Sequence, residues 1–276
     1  MPNKVVPLAL STHPGPAIAV TLVAVVLGIG LGVDPPHLVL LGLAFALNQA
    51  SVGLSNDWID AERDRAVGRT DKPVALGRID AATVRTAAIV TAILAVLLTL
   101  PLGPLATIAH AVFIASAWSY NLWLKNTPLS ALPYLVSFGL LPVVVAFARP
   151  IPALAAPWAI GLGALLGLAA HFANVLPDLE DDRRTGVSGL PHRLGRRASG
   201  AVICAALVAA ALLAFFGPTG ARTALQWAGL ILTVLLAAAI AVVLGRPPTR
   251  LLFQLIIAAA IVDVVVLVFS GTRLLA

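Results

Sequence analysis

Long apolar runs broken by short polar punctuation dominate the chain. Nine of them, at roughly 14–33, 37–56, 82–100, 103–121, 129–148, 152–175, 198–216, 221–244 and 250–270, approach the length of about 20 residues that a helix needs to cross a bilayer. Apolar positions are continuous within each run and do not alternate with polar ones, which disfavours a membrane β-barrel. Most breaks are brief: Asp34-Pro35-Pro36, Pro101-Leu102-Gly103-Pro104, Arg149-Pro150, Gly217-Pro218 and Gly245-Arg246-Pro247-Pro248. Connections this short set successive helices antiparallel and side by side. The pattern predicts an all-α integral membrane protein with nine transmembrane helices in one bundle, a single domain over residues 1–276. The first run is too long for a signal-peptide core and has no convincing small-residue cleavage site after it, so it reads as a retained span.

Composition narrows the picture. Apolar residues make up 60% of the chain and charged residues 11%, with a mean hydropathy of +1.00. Soluble domains hold about 45–50% and about 25% respectively, so a soluble enzyme and a disordered chain are both excluded. The single cysteine, Cys204, excludes a disulfide-stapled secreted domain. A formal charge of +6 would suggest nucleic acid in a soluble protein. Here its distribution points to a membrane, and no nucleic-acid partner is expected. With the N-terminus cytoplasmic and nine spans alternating, the cytoplasmic side receives Lys4, Arg63, Arg65, Arg69, Lys72, Arg78, Arg85, Lys125, Arg183, Arg184, Arg193, Arg196, Arg197, Arg246 and Arg250. Only Arg149, Arg222 and Arg273 remain outside. This is the asymmetry that the positive-inside rule requires, and an even number of spans would destroy it.

Ten of the twelve acids lie in the two long polar connections. The motif loops, 56–81 and 174–197, each open on Asn-x-x-x-Asp-x-x-x-Asp: Asn56, Asp60 and Asp64 in the first, Asn174, Asp178 and Asp182 in the second. On a helix, positions i, i+4 and i+8 share one narrow face, and Asp57 lies close in angle to Asp64. Stacked like charges repel, so something positive must compensate. Neighbouring Arg63, Arg65, Arg183 and Arg184 are one source of that charge. Two equal clusters on the same side favour another, Mg²⁺, which takes few carboxylates, keeps waters and binds substrate phosphates. Two ions bridged by a diphosphate would be held by Asn56, Asp57, Asp60 and Asp64 on one side and by Asn174, Asp178 and Asp182 on the other. Arg69 and Lys72 follow the first cluster and Arg193 follows the second; they are the expected diphosphate donors. Asn48, two turns before Asn56, and His171, three residues before Asn174, extend the polar stripes and are acceptor-pocket candidates.

These residues resemble the UbiA superfamily of membrane prenyltransferases. Asn56, Asp57, Asp60 and Asp64 match its Asn-Asp-x-x-Asp-x-x-x-Asp signature, and Asp178 and Asp182 match its Asp-x-x-x-Asp signature. Asp181, Gly186 and Ser188 resemble its second loop, and Tyr120 through Lys125 its Tyr…Lys element after the fourth span. Lys72 and His13-Pro14 stand where the family often has Arg and Arg-Pro. The resemblance implies a multi-pass protein of the bacterial inner or plasma membrane, with an active site opening to the cytoplasm. It also implies Mg²⁺-dependent transfer of a prenyl group from an isoprenyl diphosphate to a small, usually aromatic acceptor through an allylic carbocation-like centre. The donor's tail would lie among the spans, open to membrane lipid. Tyr120 and Lys125 join the diphosphate contacts. Catalysis falls to Asp60, Asp64, Asp178, Asp181 and Asp182, with Asp181 or Asp182 as the base that takes the ring proton. A membrane terpene cyclase of the same superfamily would use the same metal site and quench the cation internally. A secondary transporter, the alternative from another class, builds its site near the midplane from broken helices, whereas these acids crowd at span ends.

Overall fold

The computed structural model describes residues 4–177, 179, 186–244 and 250–276. Among them the chain is helical, with α1 (Val5–Leu10), α2 (Pro14–Gly30), α3 (Pro35–Ile59), α4 (Ala61–Ala66), α5 (Ala81–Thr99), α6 (Pro104–Leu122), α7 (Leu132–Phe147), α8 (Pro157–Val175), α9 (Leu190–Phe216), α10 (Ala224–Leu244) and α11 (Arg250–Phe269). Helices are the expected solution for such runs, since in lipid each backbone N–H and C=O must be satisfied within the segment. Among the described residues, six helical segments are long and apolar enough to cross a membrane; α2 and α7 are apolar but shorter.

Local chemistry sets the boundaries. The side chain of Asp34 accepts from the His37 amide to start α3, and that of Asp80 accepts from the Thr83 amide at 2.7 Å to start α5. Proline occupies the first turn of α2, α3, α6, α7, α8 and α9, where its missing N–H is no loss. Gly195 takes φ 77° inside α9 and separates a short first turn from the long apolar segment. A left-handed residue at that point needs a side chain no larger than hydrogen.

The helices form a ring. Neighbouring long helices pack together from α2 through α11, α3 lies against both α5 and α6, and α11 returns to α2. One apolar core fills the ring, and a smaller cluster of Leu54, Ala61, Val74, Ile79, Val84 and Ala88 lies between α3 and α5 beneath the first motif loop. The α7–α8 contact is especially close: a Cβ at Gly163 or Gly167 would sit 2.4 Å from the carbonyl oxygen of Phe138 or Tyr134. Small residues four apart let two backbones touch without any hydrophobic driving force from water. Outward-facing Ile18, Leu22, Ile29, Ile93, Ile108 and Leu235 are exposed, as suits lipid contact.

Candidate active site

The first motif does not lie on one unbroken helix. Helix α3 ends at Ile59, α4 begins at Ala61, and Asp60 is the joint, with φ −88° and ψ 0°. Helical hydrogen bonds nevertheless continue across it, from Asp60 N–H to Asn56 C=O at 2.9 Å and from Asp64 N–H to Asp60 C=O at 2.8 Å. The stripe expected from the spacing therefore survives the bend. Asp57, Asp60 and Asp64 are all buried, at 1%, 4% and 5% exposure.

Burying three carboxylates together is costly unless they are paired. Lys72 donates to Asp57 Oδ1 at 2.6 Å and to Asn56 Oδ1 at 2.9 Å, and lies 4.0 Å from Asp64. Lys125 donates to Asp60 Oδ1. Asp60 Oδ2 accepts from the Asn56 amide at 3.0 Å and from Arg63 at 3.1 Å, and Arg63 also reaches Asp64 at 3.4 Å. His13 completes the cluster, its Nε2 2.9 Å from Asp57 Oδ1 and 3.0 Å from Lys72 Nζ. One ring nitrogen cannot both donate and accept. It either donates its proton to Asp57 Oδ1 or accepts the third N–H of Lys72, and the tautomer decides which. Outside the spans, burial pushes the Asp64 carboxyl above its ordinary value despite the Lys72 and Arg63 charges, and burial pushes the Lys125 ammonium down despite Asp60.

His13 is the residue that spacing did not reveal. It lies 44 positions from Asp57 and caps α2 in the left-handed region, at φ 54°. The 11–13 turn reaches α3 because Gly53 has no side chain; a Cβ there would lie 2.4 Å from the Thr12 carbonyl oxygen. The one sequence signal was His13-Pro14 standing where the resemblance has Arg-Pro.

The other site candidates spread more widely. Arg69 forms a two-pronged pair with Asp71, at 2.9 and 3.0 Å, and that pairing holds the Asp71 carboxyl below its ordinary value. Arg193 donates to the Ser188 carbonyl at 2.9 Å. Tyr120 meets Tyr134 and His171 edge-on. Asn48 bonds His110 Nε2 at 3.0 Å in the fully buried space between α3 and α6. Trp58 sits beneath the Arg85 guanidinium, 6.0 Å from its ring centre. Asn174, at the end of α8, is exposed. Asp178, Asp181 and Asp182 lie outside the described residues.

The edge of the second loop packs on the turn that carries Lys125. Ser188 donates to the Asn126 carbonyl at 3.1 Å, and a Cβ on Gly189 would stand 2.5 Å from the Lys125 carbonyl oxygen. Asp60, Arg63, Lys125, Asn126, Gly186 and Val187 line one hollow of about 250 Å³. Among the described residues no three His, Cys, Asp or Glu side chains converge as a ready metal cage. The donor chemistry still fits Mg²⁺, which needs only one or two carboxylates when a phosphate shares it. Asp57 Oδ2 is buried and, among the described residues, accepts no hydrogen bond, so one carboxylate oxygen is left over for a cation.

Three comparisons bear on this site. The family model described as the UbiA prenyltransferase family matches residues 17–251. A 4-hydroxybenzoate octaprenyltransferase of Ralstonia nicotianae (strain ATCC BAA-1114 / GMI1000) is 28% identical over 211 residues, covering 75% of this chain and 72% of that protein. Among solved structures, a UbiA homologue from Archaeoglobus fulgidus bound to GPP and Mg²⁺ superposes with a TM-score of 0.71 at 14% identity, covering 97% of this chain and 99% of that one. A digeranylgeranylglyceryl phosphate synthase superposes with a TM-score of 0.69 at 18% identity, covering 98% and 99%. At those identities the superpositions speak to the fold, and the family match carries the assignment. The chain belongs to the UbiA prenyltransferase family.

Proposed function

We propose that the protein transfers a prenyl group from an isoprenyl diphosphate to a phenolic or quinone-precursor ring, at a site opening to the cytoplasm from a nine-span bundle with a cytoplasmic N-terminus. The observation that carries this is the hollow in which Asp60, Arg63 and Lys125 face Gly186 and Val187 of the second motif loop. It sets the buried Asp60 carboxylate and two basic side chains around one space, against two residues of the second motif loop. The relatives support the same reading, one by being named for 4-hydroxybenzoate and one by its GPP and Mg²⁺.

Asn56, Asp57, Asp60 and Asp64 would hold one Mg²⁺, and Asn174, Asp178 and Asp182 a second. Bound there, Mg²⁺ supplies positive charge that stabilises the diphosphate as it departs. The chain's own groups do the rest. Lys72, Lys125 and Arg63 neutralise buried carboxylates and are donors for phosphate oxygens, Lys125 and Arg63 from the wall of the hollow itself. Arg69, Arg193 and Tyr120 are the further diphosphate contacts, and Asn48 and His171 line the acceptor side. The prenyl carbon that loses diphosphate is attacked by an electron-rich ring carbon, and Asp181 or Asp182 takes the ring proton.

The test is product mass spectrometry on purified enzyme with Mg²⁺, a series of prenyl diphosphate lengths and a panel of phenolic acids. A prenylated ring is the expected product. Cyclic hydrocarbon or alcohol released without any acceptor would overturn the assignment.

A further inference from the structure

One buried side chain near the second motif has an unspent hydrogen-bond donor. His171, on α8 one turn before Asn174, is 1% exposed. Its Nε2 lies 3.0 Å from the Ser130 hydroxyl, and the same hydroxyl accepts from the Leu190 amide at 2.8 Å. Ser130 is fully buried, and among the described residues Nε2 is the acceptor given for its proton. The arrangement that satisfies all three groups is Leu190 N–H to Ser130 Oγ, and Ser130 O–H to His171 Nε2. Reversing the second bond would leave the buried hydroxyl proton without an acceptor among the described residues. Nε2 is thus the accepting nitrogen, and Nδ1 carries the ring's proton. That Nδ1 is buried and, among the described residues, has no hydrogen-bond partner.

The ring is held as firmly as its tautomer. Tyr134 tilts against it at 4.9 Å between centres, and Tyr120 and Phe172 meet it edge-on at 5.5 Å. The α7 backbone that carries Tyr134 is pressed onto α8 at Gly167. A fixed donor within an aromatic wall, one turn from the acidic motif, suits a flat ring bearing an oxygen.

We propose that His171 is a specificity-determining residue for the acceptor, its Nδ1–H donating to an oxygen on the acceptor ring. This rests on the proposed ring prenylation. A donor with no protein partner gains its full hydrogen bond only from a substrate that supplies an acceptor atom, so ligands lacking that oxygen are rejected.

The test uses two isosteres. His171→Asn places an amide N–H where Nδ1 lies and abandons the Ser130 contact. His171→Gln reaches Ser130 and abandons the Nδ1 donor. With 4-hydroxybenzoate as acceptor, His171→Gln lowers kcat/KM for the acceptor by about 10- to 100-fold and leaves the donor KM unchanged; His171→Asn retains most of it. The reverse order, or equal losses for donor and acceptor, overturns the assignment and makes His171 a structural pin. Histidine ¹⁵N shifts of the wild-type protein give a reading independent of variant folding. They are expected to show the Nδ1–H tautomer and to move when acceptor is added; shifts unchanged at saturating acceptor also overturn it. A wild-type enzyme that prenylates no aromatic ring defeats the proposed function itself, and this assignment with it. An active enzyme indifferent to the two variants defeats this assignment alone.

Discussion

Asp57 accepts a 2.6 Å hydrogen bond from the Lys72 ammonium, and both side chains are almost wholly buried. Lys72 comes from the loop after the first motif and returns to its beginning, so one cation ties the two ends of that segment together. Removing one partner of a buried pair leaves the other charged and unpaired. Lys72→Ala is expected to destabilise the protein by about 3 kcal/mol, read as a lower unfolding midpoint in detergent. The double variant Lys72→Met with Asp57→Leu should recover most of that loss while remaining inactive. A Lys72→Ala protein as stable as the wild type would mean that the pair does not persist in solution.

The crossing at Gly53 makes a second prediction. Any side chain there meets the Thr12 carbonyl and pushes the 11–13 turn, with His13, away from Asp57. Gly53→Ala should cost about 1–3 kcal/mol and reduce turnover. Gly15→Ala is the control: it adds a methyl with nothing within 4 Å, inside a helix, and should be neutral or slightly stabilising. Equal midpoints for the two variants would remove the account of how His13 is placed.

The Asp80 cap gives a pH dependence. Lys4 at 3.0 Å, then the amide and hydroxyl of Thr83, hold its carboxyl well below the ordinary value of 3.8. A carboxyl depressed by folding contributes stability above its unfolded pKa and loses that contribution as pH falls toward the folded one. Asp80→Ala should therefore melt below the wild type at pH 7, and the gap should narrow once pH drops under 3.8. A gap that stays constant with pH would contradict the ionic part of the cap.

Much of this was legible from residue order because membrane helices advertise themselves. Continuous apolar runs can be read without tertiary knowledge, and the i, i+4 ladder of Asn56, Asp60 and Asp64 follows from helix geometry even across the joint at Asp60. Lys125 was found through the family's Tyr…Lys element. Arg63, named as one counter-charge, does pair with Asp60 and Asp64, but the ladder gave no sign of how the rest of its charge is balanced. That depends on which distant cations fold back, and Lys72 and His13 arrive from 15 and 44 residues away. Asn48 was grouped with the motif stripe, yet it bonds His110 across α3 and α6, a partnership 62 residues apart that helical periodicity does not encode. Likewise the tautomer of His171 is set by Ser130 and Leu190, on segments brought together only by the packed bundle.

In the proposed function, paired acidic motifs hold an isoprenyl diphosphate through Mg²⁺. Calorimetric binding of geranyl diphosphate to the purified protein tests it most directly, with Mg²⁺ or with EDTA, for the wild type and for Asp60→Ala combined with Asp178→Ala. Binding should require Mg²⁺ and should weaken by about 100-fold or more in the double variant. Equal affinity in EDTA, or a double variant that binds as the wild type does, would contradict it.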